Sequence, residues 1–288
     1  MGYMRGCLTS AIAGALLLVV WAPAAAGAQE PADTLRALYR VPVPPVVTSA
    51  APVLRVPPAS TAGSPTAYGP VWGQAFAGAG YQARARYSTG NDGTAVVGLG
   101  LGDARRLVGA EVALTSYTTV RSGFATSAGV GVKVHRLFAE DIGVAVGVEN
   151  LLHTDPGGQH EGRSVYAVIS QVVTMNAEPN ATFGSLTASV GIGTGRFRSE
   201  QRIIDDEAGV GLFASLGIRV LEPLSILADW TGQDLALGVS ISPFRTLPLV
   251  ITPAIVDVTG TAGDGARFTL GVGSGFSFID LPLIRERR

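Results

Sequence analysis

The chain has 288 residues, of which 47% are hydrophobic and only 15% are charged, and it contains 38 glycines. Its 21 basic and 22 acidic residues nearly balance, so there is no general excess of cations to neutralise nucleic-acid phosphates. Soluble domains usually carry about 25% charged residues. After the N-terminus, no apolar run approaches the roughly 18 uninterrupted residues that a membrane-spanning helix needs. The composition therefore argues against a nucleic-acid-binding protein, an ordinary soluble domain and a helical membrane protein.

Residues 1–28 have the organisation of a secretory signal peptide. Arg5 supplies a positive charge, an apolar stretch follows at 8–21, and small residues precede the expected cleavage after Ala28. An uncleaved N-terminal membrane anchor is the alternative. Cleavage removes Cys7, the single cysteine of the chain, so we expect the mature protein to lack disulfides.

Residues 29–72 form a proline-rich spacer, with prolines at 31, 42, 44, 45, 52, 57, 58, 65 and 70. Each proline removes a hydrogen-bond donor and fixes φ, so we predict an extended segment that does not join a packed element. A periplasmic linker is the first interpretation. A segment that enters a pore or touches the cell wall is the second.

From Gly73 onward the apolar residues recur with a period of two, which is the period of a β-strand. In the clearest example, Val130, Val132 and Val134 share one face, whereas Gly129 and Gly131 lie on the other. The pattern is weaker at 74–87, 164–174 and 249–258, and the last of these contains Pro253. Twelve strands are predicted in all: 74–87, 94–102, 107–120, 123–135, 142–149, 164–174, 185–193, 210–220, 224–230, 234–242, 249–258 and 268–278.

An export signal followed by an even number of alternating strands, each of roughly ten residues, resembles the bacterial outer-membrane β-barrels. The resemblance implies an all-β fold: a closed, antiparallel transmembrane β-barrel of about 12 strands in the cell outer membrane. Lipid and lipopolysaccharide would then surround its apolar face. The expected organisation is a signal peptide at 1–28, a spacer at 29–72, a barrel at 73–278 and a C-terminal tail at 279–288. A secreted soluble β-sandwich is the alternative fold, although its outer face should carry more charge.

The connections between predicted strands differ in length in a regular way. In barrels of this class the N-terminus is periplasmic, so odd-numbered connections face outward and are longer. The long predicted connections, 150–163, 195–209 and 259–267, follow strands five, seven and eleven, whereas the even-numbered ones are short. This parity supports a count of twelve. Aromatic residues make up only 7% of the chain, fewer than the interfacial girdles of this class lead us to expect.

Several titratable residues share strand parity with the glycines and serines, and we predict that they line a lumen. Folding two neighbouring strands about 121–122 brings Glu111 close to Lys133, where a cross-strand ion pair can form. These groups either are solvated lumen charges or form a constriction that biases ion selectivity. The predicted lumen-lining residues are Arg84, Arg86, Glu111, Lys133, His135, Glu149, Arg219 and Asp229.

No catalytic, metal or cofactor site is predicted. The glycine-rich run 191–195 lacks the following helix and the further glycine that a nucleotide-binding loop requires. Histidines and carboxylates in the loop 150–163 have no metal-ligand spacing and are expected to be solvated. The acidic run 205–207 is expected to be a solvated loop tip, and a site for Ca²⁺ or for divalent cations that bridge lipopolysaccharide is the alternative. Ser127 and His135 share a face but lie roughly 26 Å apart along one strand, too far for a nucleophile and its base.

The sequence therefore favours a non-enzymatic outer-membrane barrel that acts as a passive pore or as a structural surface protein. A binding or secretion-accessory barrel is the alternative, in which the spacer 29–72 engages a periplasmic partner. The sequence names neither a solute nor an oligomeric state.

Overall fold

The computed structural model describes residues 57–86, 90–117, 127–138, 141–154, 162–176, 178, 181–260 and 265–279. All of them fall within one compact unit, Arg36–Arg288. The predicted signal peptide, the spacer before residue 57 and nearly all of the predicted C-terminal tail lie outside the described residues.

Within the described residues, twelve strands each pair antiparallel with the next, and the last pairs with the first, so the sheet closes into a barrel. The predicted all-β closed barrel is confirmed, and the alternative β-sandwich is wrong because the sheet closes on itself. The strands are β1 (Gln74–Gln82), β2 (Asp92–Gly102), β3 (Gly109–Tyr117), β4 (Ser127–Phe138), β5 (Ile142–Thr154), β6 (Ser164–Thr174), β7 (Ser185–Gly193), β8 (Gly211–Leu221), β9 (Leu224–Trp230), β10 (Leu235–Ile241), β11 (Leu249–Val256) and β12 (Arg267–Ser277).

All three weaker sequence patterns are strands, including the one that contains Pro253. This residue lies within β11 and is paired with Leu270 of β12. Proline has no backbone N–H to donate, so it cannot complete a ladder on both sides of a strand. The β10–β11 seam is correspondingly sparse, with residue pairs at 237–255, 238–254 and 241–251. The barrel accommodates the proline with fewer residue pairs between β10 and β11.

The two faces of the wall are divided as the alternation predicts. On the outer face, Val97, Leu114 and Val190 are 52–54% exposed. On the inner face, the serines of β6, β7 and β10 at 170, 185 and 240 are 0–1% exposed. An apolar outside and a polar inside invert the arrangement of a soluble protein and match that of a barrel surrounded by lipid.

The two ends of the barrel differ in their connections. One end, which we call the turn end, carries the connections 103–108, 139–141, 175–184, 222–223 and 242–248. The opposite end, which we call the loop end, carries the connections 83–91, 118–126, 155–163, 194–210, 231–234 and 257–266. The longest connection, 194–210, lies at the loop end as predicted, and it contains a 3₁₀ turn (Gly195–Phe197) and the short helix α1 (Glu200–Ile204). The prediction that even-numbered connections are all short is less exact, since 175–184 exceeds 231–234. None of the described helices has the length and hydropathy to span a membrane.

Exposed aromatic side chains lie near both ends. Tyr81, Trp230 and Phe268 point outward near the loop end. Trp72, Phe183, Phe244 and Phe276 do so near the turn end, and the Trp72 ring meets the edge of the Phe278 ring at 6.0 Å between centroids. Three of the turn-end aromatics lie outside the strands, where the alternating pattern gives no information, so the sequence underestimates the girdle.

Candidate functional site in the barrel lumen

Residues 57–72, which we call the lumen segment, run inside the barrel and end at the turn end, where the Trp72 side chain points outward. A Cβ placed on the inner-face Gly217 would lie 2.7 Å from the backbone of Ser60, and one on Gly100 would lie 2.4 Å from the backbone of Pro70. Only glycine allows the wall and the segment to approach this closely. Ala67 and Tyr68 in the middle of the segment are 0% and 2% exposed. The last residues of the predicted spacer therefore pack within the lumen.

The wall holds the lumen segment mainly through the segment's backbone. The N–H of Ala59 donates to Oγ of Ser240, and the N–H of Ala67 donates to Oγ of Ser170, each at 2.8 Å. Both serines are buried on the inner face. A buried N–H without an acceptor is costly, so these hydroxyls meet a requirement that an apolar wall would leave open.

The strongest attachment is at Asp229 of β9. One oxygen of its carboxylate, Oδ2, accepts hydrogen bonds from the N–H groups of Ala62, Gly63 and Ser64 at 2.9–3.0 Å. It also accepts one from the Thr61 hydroxyl at 2.5 Å. Asp229 is 1% exposed. Successive N–H groups that converge on one oxygen form an anion-binding nest, which offsets the cost of burying the carboxylate.

Three of the predicted lumen residues meet the lumen segment near the turn end. Nζ of Lys133 lies 2.6 Å from Oε2 of Glu111, as the strand register predicts, and it also donates to the carbonyl of Tyr68 at 2.9 Å. The buried His135 completes the group. A Cβ on Gly69 would lie 2.9–3.0 Å from all three side chains, so a glycine fits tightly between them.

The loop end of the lumen is filled by the connection 194–210, which we call the inward loop. Its Arg196 pairs with Glu149 through Nε at 2.5 Å and Nη2 at 2.8 Å, and it also donates to the carbonyl of Gly63 at 3.3 Å. Phe197 is fully buried and packs on Phe213 at 4.5 Å between ring centroids. The inward loop therefore contacts both the wall and the lumen segment.

The glycine-rich run 191–195 has a packing role at this end. A Cβ on Gly191 would lie 2.2 Å from the Phe213 ring, and one on Gly193 would lie 2.5 Å from the Phe197 ring. Gly195 has a φ of +62°, which favours glycine at the start of the inward turn. Gly191 and Gly193 therefore make room for aromatic rings.

Two further predicted residues, Arg84 and Arg86, lie just beyond the end of β1 at the loop end. Arg84 donates to the carbonyl of Gly265 at 3.0 Å. Arg86 pairs with Asp234, which also lies 3.2 Å from Arg267, and Arg86 lies 3.4 Å from Glu200 of α1. These ion pairs join the inward loop to the connections 83–91 and 231–234 and to β12.

The eighth predicted residue, Arg219, is half-buried near the turn end, where its Nε donates to the carbonyl of Glu222 at 3.2 Å. It lines a small cavity together with Ser185, Ser225 and the lumen-segment residues Pro57 and Pro58.

Sequence reasoning missed Arg196, Phe197, Asp234, Arg267 and the serines that accept the segment's N–H groups. Strand parity carries no information about Arg196 and Phe197, which fold inward from a loop, and it marks a serine as inner-facing without indicating a partner. Among the described residues, no group of three or more His, Cys, Asp or Glu side chains is placed to hold a metal ion.

The chain matches no protein-family model and no curated protein sequence. Among solved structures it is similar to the Acinetobacter baumannii outer membrane protein Omp33, with 11% sequence identity and a TM-score of 0.36. The similarity covers 70% of this chain and 97% of that protein. A similarity of this degree supports no conclusion about what this chain does.

Proposed function

We propose that the chain is an integral outer-membrane β-barrel, porin-like and non-enzymatic, whose lumen is closed at rest by residues 57–72. Two features of the wall support a membrane location. Its closed sheet leaves no strand edge unpaired, and its outer face exposes valine, leucine and isoleucine. By the convention of this barrel class, the turn end faces the periplasm and the loop end faces outside.

One observation carries the proposed channel: the lumen is filled by a chain segment that precedes the first strand. Small barrels without a channel are usually filled by side chains of their own strands. Here much of the inner face is glycine and serine, and the space is taken by a segment held through its backbone at Ser240, Asp229 and Ser170. Such a segment can leave without breaking any strand pair. A purely structural surface barrel is the competing role.

Single-channel recording in planar bilayers tests the channel with a pair of glycine variants. Gly217→Ala puts a methyl group 2.7 Å from the Ser60 backbone and should push the lumen segment off the wall. Gly271→Ala is the matched control, because a Cβ on this inner-face glycine has 3.7 Å of clearance. We expect rare openings in the wild type and in Gly271→Ala, and frequent openings in Gly217→Ala. Absence of current from all three folded proteins would contradict the channel and favour the structural role.

A periplasmic partner is a second candidate role, and the position of residue 57 favours it. Pro57 and Pro58 line a cavity with Ser185, Arg219 and Ser225 at the turn end, so the first described residues of the lumen segment lie on the proposed periplasmic side. Photocrosslinkers placed in 29–56 should capture a cell-envelope component in intact cells. Failure to obtain any adduct at all positions would contradict this role.

Lipopolysaccharide is the proposed partner at the other end. Arg163 and Arg202 are exposed at the loop end, where guanidinium groups can pair with lipid phosphates. Replacing both by Ser should weaken binding of lipopolysaccharide to the folded barrel, and unchanged binding would count against the assignment.

A further inference from the structure

The inner wall recognises backbone groups of a chain that bends at residues 62–64. Five N–H groups of the lumen segment, at residues 59, 62, 63, 64 and 67, are accepted by just three wall side chains, those of Ser240, Asp229 and Ser170. The segment residues that donate them are alanine, glycine and serine. Recognition of this kind needs a chain that turns sharply enough for successive N–H groups to converge on Asp229 and that has small side chains, and it depends little on what those side chains are.

The polar lining continues past the attached part of the segment. Hydroxyl groups of Ser185, Thr187 and Ser225 line the cavity beside Pro57 and Pro58, next to Arg219. Prolines lack an N–H, so they leave no donor to satisfy where they enter, and their fixed φ keeps the chain extended at little entropic cost. The lining thus suits small residues in the middle of the lumen and prolines at its turn end.

We infer that the lumen is a binding site for peptides of small residues and prolines, which it recognises through their backbone N–H groups. The lumen segment is the tethered occupant. A peptide of the same kind, supplied from the turn end, occupies the site once the tethered segment has been displaced. This inference rests on the proposed function in one respect, namely that the segment can leave the lumen.

The tether determines when such a peptide can bind. A short covalent connection gives the segment an effective concentration of about millimolar at its own site. A soluble peptide at micromolar concentration therefore competes poorly with an intact segment. It should bind readily to a chain whose segment has lost its own N–H donors and whose wall is unchanged.

Full-length chain with the double substitution Ala62→Pro and Ser64→Pro provides that state. Proline removes two of the three N–H groups that Asp229 accepts, and no wall residue is altered. A second variant, Ala67→Pro, removes the donor to Ser170 and serves if the first fails to fold. The probe is a fluorescein-labelled peptide with the sequence of residues 57–72, and its anisotropy is measured with detergent-folded protein.

We expect saturable binding of the peptide to the double variant. Its affinity for the wild type should be lower by a factor of about ten or more. The matched control is the same peptide carrying the two prolines, which should not bind. Adding Asp229→Ala to the double variant should remove most of the binding.

Absence of saturable binding to either folded variant would overturn the inference, and so would equal binding of the two peptides. Folding is checked by heat-modifiable gel mobility. Binding without channel current would contradict the proposed channel alone, whereas channel current without binding would contradict the peptide site alone.

Discussion

The two halves of the lumen are filled in different ways. The loop-end half is filled by side chains: Phe197 packs between Tyr166 and Phe213, and Arg196 pairs with Glu149. The turn-end half is filled by the backbone of the lumen segment, which bonds to wall serines there and reaches Asp229 near the loop end of β9. The first filling connects two neighbouring strands, so removing it disturbs the fold. The second precedes all the strands, so it can leave while the barrel stays closed.

The largest expected effect comes from emptying the loop-end half. Phe197→Ala should lower the free energy of unfolding by about 3–5 kcal/mol, because a fully buried aromatic side chain is lost and a cavity remains. Urea unfolding from lipid vesicles measures this. Ile204→Ala, at an exposed position in the same inward loop, is the control and should cost less than about 1 kcal/mol. Equal losses would contradict the view that this half is part of the core.

The next effect comes from releasing the lumen segment. Asp229→Ala removes the acceptor of four hydrogen bonds, and a single bond to a charged group contributes about 1.5–3 kcal/mol. We expect the fraction of time in the open state to rise about tenfold or more, since 1.4 kcal/mol is a factor of ten. Single-channel recording measures this fraction, and the loss of unfolding free energy should be smaller than for Phe197→Ala. An unchanged open fraction would show that Asp229 does not hold the segment in place.

A smaller effect concerns the pair that lies between wall and segment. In a Gly217→Ala background, where the lumen is expected to be open, Lys133→Ala removes a positive charge and Glu111→Ala removes its negative partner. The reversal potential in a salt gradient should move toward cation selectivity in the first and toward anion selectivity in the second. If neither substitution changes the reversal potential, the two residues are solvated lumen charges and do not form a selective constriction.

The smallest effect tests whether the segment's side chains matter. The Thr66 hydroxyl makes a long 3.4 Å contact within the lumen segment, to the carbonyl of Tyr68. Thr66→Ala should change the free energy of unfolding by less than about 0.5 kcal/mol and leave the open fraction unchanged. A rise comparable to that of Asp229→Ala would show that side chains, and not the backbone, hold the segment.

The strands and their faces were predictable because one physical rule, the two-residue period, governs every one of them. The same rule led to the contact between Glu111 and Lys133, since register follows once two strands are joined by a turn. The lumen segment was not predictable to the same extent. Its prolines remove periodicity, so the sequence indicated an extended chain and left its location open.

The inward loop was missed for a related reason. Parity assigns a side only within a strand, and Arg196 and Phe197 lie after β7 has ended. One signal was present: the glycines at 191, 193 and 211 leave a gap on the inner face that some bulky group must fill. The sequence contained this gap but did not indicate that Phe197 and Phe213 fill it.

Thiol accessibility in the lumen segment tests the central claim most directly. Ser64 is 3% exposed beside Asp229, and the single natural cysteine, Cys7, lies in the predicted signal peptide. A Ser64→Cys protein lacking residues 1–28 should react slowly with a membrane-impermeant maleimide, and adding Gly217→Ala should speed the reaction about tenfold or more as the segment leaves the wall. Equal, fast labelling with and without Gly217→Ala would mean that residues 57–72 do not close the lumen.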